Sequence, residues 1–460
     1  MSVLIGTLAV EPPPHPTSVM CMTGLSLADI GLTPSVAVKE STTDDQTGQP
    51  KKAPKKPLIG PMPIEPGSVF AHALYNVWKG TRTSIIKSPP GAGKSTLVAR
   101  LAYYLHSELP TLPVTVVTPT NGSGQALITR IAEAFGSDSV VAASSKIMPE
   151  AWAERVGFGS ALGTGAIAVQ TIASAGMSRK NTEKGDGGLY IVDEAYQSSI
   201  SDTIAAIDKA DQVLFVGDPG QIGPVVTVDT KVFDRAHTPP HIPAPIAFER
   251  DPDAVVLSLD HTYRLGQTTT DIIQHFYDFP FDSKRSEKYV EGHAEVETSV
   301  VATAPVAHDP DLLDEVCDKV VELLGKKYVQ VDDEGNAEDM YLAGRHMAVV
   351  VAHNAQRSYV ESRLAGLLDP YDSAMITVGT ADSLQGGQWP AVVALDPFAG
   401  VKAVTDHHSS PGRLCVMLSR HTAHLSFITC EDWKLSIASA DVSSSERKAH
   451  RKVRRMLINA

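Results

Sequence analysis

The chain has 460 residues, with 40 Lys+Arg against 53 Asp+Glu and a formal charge of −13. A content of 43% hydrophobic and 20% charged residues is that of a globular protein, and the length suits two or three domains that each bury a core. The acidic balance excludes coating of nucleic acid by bulk charge but not a local groove for phosphates, and no apolar run reaches the ~18 residues of a membrane span.

Residues 1–66 read as a poorly ordered arm. Pro12, Pro13, Pro14 and Pro16 cluster near its start, and Lys51, Lys52, Lys55 and Lys56 are broken up by Pro54 and Pro57. Such a segment buries too little apolar surface to offset its conformational entropy. It has no basic start followed by an apolar core, as a secretory signal would. Cys21, Cys317, Cys415 and Cys430 lie far apart, without metal-ligand spacing, and are expected to be reduced thiols. The expected setting is the cytoplasm, or the host cytoplasm if the source is viral.

From residue 69 onward, short β-branched runs alternate with helical stretches. Runs at 83–87, 114–118, 167–170, 189–192 and 213–216, with helices at 96–109, 126–135 and 201–209, predict an α/β unit whose parallel sheet is covered on both faces. The first run enters Ser88-Pro89-Pro90-Gly91-Ala92-Gly93-Lys94-Ser95, followed by Thr96 and a helix. That order makes residues 88–96 a phosphate-binding loop: the glycines turn backbone N–H groups toward phosphate and the helix adds its positive end. Lys94 is expected to reach the β- and γ-phosphates of ATP, and Ser95 to ligate Mg²⁺. Ser88 stands where the pattern has glycine and fits if its backbone avoids positive φ.

The run at 189–192 ends in Asp193-Glu194. Both acids then sit at the carboxyl end of a parallel strand, Asp193 to hold hydrated Mg²⁺ and Glu194 to deprotonate the attacking water. The run at 213–216 ends in Gly217-Asp218-Pro219-Gly220-Gln221. The Gln221 amide is expected to read the γ-phosphate as donor and acceptor together.

A second α/β unit follows, with strands at 255–259, 347–352, 375–378, 392–395 and 425–429, helices at 311–324 and 356–368, and the joint near 248–255. The domains expected are thus 1–66 (arm), 67–250, 251–432 and a basic terminal helix, 433–460. The segment 446–455 holds Arg447, Lys448, Arg451, Lys452, Arg454 and Arg455, and reads as a solvated helix or as a tail that touches a nucleic-acid backbone.

Further strings complete a pattern: Thr118-Pro119-Thr120-Asn121; residues 169–176 around Thr171; Leu259-Asp260-His261-Thr262-Tyr263-Arg264; Ala352-His353-Asn354-Ala355-Gln356; Gly379-Thr380-Ala381-Asp382-Ser383-Leu384-Gln385-Gly386; and residues 413–420, ending in Ser419-Arg420. With the loop, the acid pair and the glutamine, they make the chain resemble superfamily 1 helicases over about residues 83–430. The branch it is most similar to holds the nonsense-mediated-decay RNA helicase and the RecD-like DNA helicases. The resemblance implies two tandem RecA-like NTPase domains with ATP and Mg²⁺ between them. It implies Arg264 and Arg420 as arginines that reach across the cleft to the γ-phosphate. Asp382, Gln385 and Gly386 would couple nucleotide state to the strand, and Pro119, Thr120, Asn121, Thr171 and Thr380 would touch its backbone.

The implied activity is an ATP-dependent helicase that steps 5′ to 3′ along single-stranded nucleic acid, DNA ahead of RNA. It would act as a monomer, apart from membranes, with the arm open to replication or repair proteins. The alternative is a translocase or remodelling ATPase that leaves duplex intact; a third reading, a small-molecule P-loop enzyme, leaves Arg264 and Arg420 without a role. Two departures stand out: residues 62–87 hold no glutamine to read adenine, so GTP or other triphosphates stay open, and Gln388 stands where the family often has glutamate.

Overall fold

A computed structural model describes residues 64–177, 187–226, 229–233, 235–302, 309–332, 334–401, 404–440 and 442–460. The proline- and lysine-rich arm lies outside these residues up to position 63. No helix of the described residues is long and apolar enough to cross a membrane.

Eight strands form the first sheet: β1 (Thr83–Lys87), β2 (Val114–Thr118), β3 (Val140–Ala142), β4 (Gly157–Phe158), β5 (Ile167–Thr171), β6 (Leu189–Asp193), β7 (Gln212–Gly217) and β8 (Val255–Ser258). Their order is β4-β3-β5-β2-β6-β7-β1-β8, parallel throughout. Alternate residues face opposite sides, so Ile86 joins Val116, Ile191 and Leu214 in one core while Ile85 joins Val117, Val192 and Phe215 in another. Burial on both faces is why these strands read as continuous apolar runs. The helix Lys94–Glu108 covers one face through Val98, Leu101, Ala102 and Leu105, the i, i+3, i+4, i+7 stripe of an amphipathic helix.

The strand at 255–258 corrects the sequence reading. It pairs with β1, Ser84 beside Val255 through Lys87 beside Ser258, and so closes the first sheet rather than opening the second. The joint therefore falls after Leu259. β3 and β4, too short to leave a pattern, also went unread.

The second lobe begins with a parallel pair, β9 (His261–Thr262) and β10 (Asp282–Ser283). Three antiparallel strands follow, which the sequence reading did not foresee: β11 (Lys288–Val290), β13 (Lys327–Val331) and β14 (Ala337–Tyr341), in the order β11-β13-β14. The main sheet has β12 (Val296–Val301), β15 (Met347–Val351), β16 (Thr377–Thr380), β17 (Trp389–Leu395) and β18 (His421–Cys430), all parallel in the order β12-β18-β17-β15-β16. Val350, Val392 and Phe427 face one core, and Val349, Val393 and Ile428 the other.

The terminal helix, Ser444–Asn459, starts at a capping box in which Ser443 and Glu446 satisfy each other's backbone N–H groups. It is neither fully solvated nor a separate tail. His450, Val453, Arg454 and Leu457 are buried against the second lobe, and only Lys448, Arg451, Lys452 and Arg455 keep the expected basic exposed face. Arg454 makes a two-pronged ion pair with buried Asp396 at 2.6 and 2.9 Å and lies over the Phe398 ring.

Candidate functional site

The carboxyl edge of the first sheet gathers the predicted motifs: residues 88–95 follow β1, Pro119-Thr120 follow β2, Thr171 ends β5, Asp193-Glu194 end β6, and Asp218 follows β7. In open α/β sheets this is the ligand-binding edge.

In the loop, Gly91 and Gly93 have φ of 76° and 81°. Gly93 caps the helix Lys94–Glu108 with no side-chain bond, which leaves its positive end to a ligand. Glu194 is the sole non-glycine with positive φ among the described residues, so Ser88 fills the first loop position without strain. The Ser88 N–H donates to Gly217 O at 2.9 Å, tying the loop to β7. Pro89, Pro90 and Ala92 form its turn, and Thr96 accepts from Arg130 at 2.7 Å.

Lys94 Nζ meets Glu194 Oε2 at 2.6 Å. Burial opposes the lysine charge, but Glu194, Asp193 and Asp218 outweigh it and hold the pKa above the usual lysine value. Burial, with Glu194 adjacent, pushes Asp193 well above the carboxylate range, while Lys94 pulls the other way. Burial likewise raises Asp218 to about 6. Three carboxylates around one ammonium are short of positive charge, and hydroxyl and carboxylate oxygens are hard ligands. Ser95 and Asp193 therefore fit Mg²⁺. Glu194 has φ 52° and ψ 39°, a backbone region that costs a non-glycine residue energy and is concentrated at functional sites.

The second lobe reaches this loop directly. Thr262 Oγ1 donates to Pro90 O at 2.6 Å, and the Tyr263 N–H donates to Gly91 O at 3.0 Å. A Cβ on Gly91 would lie 2.3 Å from Arg264 Cβ, so only glycine lets the lobes approach this closely. Arg264 donates to Gln388 Oε1 at 3.0 Å and to Ser419 O at 3.3 Å. Gln388, a neutral amide, thus holds this arginine without neutralising it. Arg420 is 1% exposed and donates to Val416 O, Gly387 O and Ser419 Oγ. Burial and the neighbouring Arg420 charge lower Arg264 to about 10, although Asp218 and Glu194 act to raise it. Burial lowers Arg420 too, and the same two acids again oppose. No carboxylate pairs with either guanidinium among the described residues.

Gln221 is engaged on both sides: its Nε2 donates to Asp218 Oδ2 at 2.6 Å, and its Oε1 accepts from Gln385 at 3.4 Å. Asp218 and Tyr277 are functional candidates to which the sequence reading gave no role. Asp218 stands in the same string as Gln221 and could have been found there; nothing around Tyr277 marks it.

A cleft of 810 Å³ runs from Glu194 past Pro119 and Thr120 to Asp382, Gln385 and Gly386. A 320 Å³ pocket beside it takes in Thr380, Asp382 and Arg413. Arg413 holds Asp382 through two bonds at 2.9 and 3.0 Å. Thr120 and Thr171 also cap helices, accepting from the Ser123 and Ser174 N–H groups. Asn121 and Thr171 line neither space.

A family model described as an AAA domain matches residues 71–238. The matched stretch holds the phosphate loop, the acid pair and Gln221, the parts with which a P-loop NTPase binds and hydrolyses its nucleotide. Among solved structures, the chain is similar to the arterivirus nonstructural protein 10 helicase (16% identity, TM-score 0.42, over 77% of this chain and 61% of that one). It is also similar to the PRRSV helicase (16%, 0.41, 78% and 54%) and to an arterivirus nonstructural protein 10 helicase in complex with DNA (16%, 0.41, 77% and 62%). The chain thus spans between 54% and 62% of the length of these helicases. No curated protein sequence matches it.

Proposed function

We propose that the chain is a superfamily 1 helicase that hydrolyses ATP between its two lobes and steps along single-stranded nucleic acid. Its branch is that of the nonsense-mediated-decay and RecD-like enzymes, its direction 5′ to 3′, and its track DNA in preference to RNA. The observation that carries this reading is the pair Arg264, half-buried, and Arg420, buried, which face the acids of the first lobe with no carboxylate of their own. A buried cation without a counter-charge is costly, and a γ-phosphate held by Lys94 supplies the missing charge. Hydrolysis then depends on lobe closure, because the two arginines and Lys94 come from different lobes.

Phosphate on Lys94 takes the place of Glu194, which turns to accept the proton of the attacking water. Ser95 and Asp193 would hold Mg²⁺, which would supply Lewis-acid stabilisation of the phosphate oxygens when bound. Gln221, between Asp218 and Gln385, passes the nucleotide state through Asp382, Gln385 and Gly386 to the cleft wall where Pro119 and Thr120 meet the strand. Thr380 extends this backbone contact from the adjoining pocket. Hydroxyl, amide and backbone contacts grip a strand without net positive charge, which suits an acidic chain. The arm's contact with replication or repair proteins falls outside the described residues.

The test is unwinding of a duplex with a single overhang by the full chain with ATP. Unwinding from a 5′ overhang supports the reading, unwinding only from a 3′ overhang overturns the direction, and strand-stimulated hydrolysis without unwinding favours a remodelling translocase.

A further inference from the structure

His293 and Glu295 lie in the link from β11 to β12 and Glu297 in β12 itself, and these alternate side chains reach two places on β18. Glu295 turns toward its start, accepting from Thr269 Oγ1 at 2.6 Å and lying 3.7 Å from His421 Nε2. His293 and Glu297 meet His424. One ring nitrogen from each histidine and a Glu297 carboxylate oxygen lie within 4.8 Å of one another, and the two rings are 5.1 Å apart. Two imidazoles and a carboxylate form a donor set taken by zinc-class ions rather than by Mg²⁺.

We propose that His293, Glu297 and His424 bind a zinc-class transition-metal cation that staples the β11–β12 connection to β18. The surrounding contacts already orient the ligands. His424 is fully buried, and its Nδ1 lies 2.7 Å from Ala294 O. A carbonyl only accepts, so Nδ1 carries the ring proton and Nε2 keeps a lone pair, which faces the rotatable Ser426 hydroxyl at 2.8 Å. The Ala294 N–H donates to Glu297 Oε1 at 2.9 Å, which fixes that carboxylate. Outer contacts of this kind set the tautomer and aim of metal ligands.

β18 starts at His421, directly after Arg420. An ion on His424 therefore steadies the strand that anchors this arginine while staying out of the reaction itself. The site is separate from the nucleotide reading and stands or falls without it.

The test uses the full chain stripped by chelator and then titrated with Zn²⁺, and in parallel with Co²⁺, under excess Mg²⁺ and ADP to occupy the phosphate loop. About one equivalent of Zn²⁺ should be retained, with the d–d absorption of low-coordinate Co²⁺ and a melting rise of roughly 3 °C near a hundredfold excess over the dissociation constant. His293→Asn and Glu297→Gln should lose uptake and the melting rise while the stripped proteins melt as the parent does. No retained ion, or equal uptake by both variants, overturns the proposal.

Discussion

The Tyr277 hydroxyl donates to Asp218 Oδ1 at 2.8 Å, so a side chain of the second lobe holds the acid that follows β7 in the first. Burial and the Asp218 charge keep the Tyr277 phenol well above its usual pKa and therefore protonated as a donor. Asp218 also accepts from the Gly220 N–H at 2.9 Å and from Gln221 at 2.6 Å, which makes it the hub of the turn after β7. A Cβ on Gly220 would lie 2.3 Å from the Tyr277 ring, so glycine is needed for the ring to close on the turn.

Tyr277→Phe removes one hydrogen bond to a charged group, about 1.5–3 kcal/mol, and the link between sensor and second lobe. Turnover of strand-stimulated hydrolysis should fall by roughly tenfold or more, with little change in KM for ATP. Steady-state kinetics with and without single strands measure this, and equal loss in both conditions would assign Tyr277 a general structural role.

Lys94→Ala should abolish hydrolysis and nucleotide binding together, because the loop loses its one lysine. Glu194→Gln keeps the shape and a partner for Lys94 but removes the proton acceptor. Nucleotide affinity should persist while turnover falls by about 10²-fold or more. Fluorescent nucleotide titration beside a phosphate-release assay separates the two, and retained turnover in Glu194→Gln would move the base elsewhere.

Arg264→Ala and Arg420→Ala should each lower turnover by about 10³-fold, the scale of a lost arginine finger. Arg264→Lys should rescue little, since an ammonium cannot hold the geometry set by Gln388 and Ser419. Nucleotide binding should change by much less than turnover, as the same titration reads.

Arg454→Met should destabilise the fold by about 3–5 kcal/mol, because Asp396 is left as a buried charge without its partner. The contribution of His450 to the pH response has a definite sign. Burial and the neighbouring Arg454 charge hold His450 at about 4, whereas an unfolded histidine protonates near 6.5. Between those values the unfolded chain binds more protons at this group, so the His450 contribution to melting temperature should drop as pH falls from about 6.5 toward 4 and stay flat above 7, while Asp193 and Asp218, raised in the fold, act in the opposite direction. Burial opposes ionisation of Asp396, but Arg454 outweighs it and holds its pKa below the usual value. That contribution is present above about pH 4 and disappears as pH falls further through the folded value. Thermal melts across pH check both parts.

The phosphate loop, the acid pair and the sensor were legible because each needs a fixed order of residue types beside a buried strand. Ile85-Ile86 and Ile191-Val192 announce such strands through apolar runs. Val255–Ser258 was legible as a strand but not as β1's neighbour, because strand order is set by packing across the sheet rather than by local pattern. Ala337–Tyr341 is exposed at every residue and carries no apolar signal. Arg454 and His450 look solvated in sequence because their burial depends on Asp396, far along the chain. Tyr277 is hidden for the same reason: its meaning lies in Asp218, in the other lobe.

The most direct measurement is ATP hydrolysis by the full chain titrated with matched single-stranded DNA and RNA, for the parent and Arg264→Ala. The account predicts at least roughly tenfold stimulation by strands, greater with DNA, and its disappearance in Arg264→Ala. Hydrolysis that ignores both strands, or stimulation that survives loss of Arg264, would contradict it.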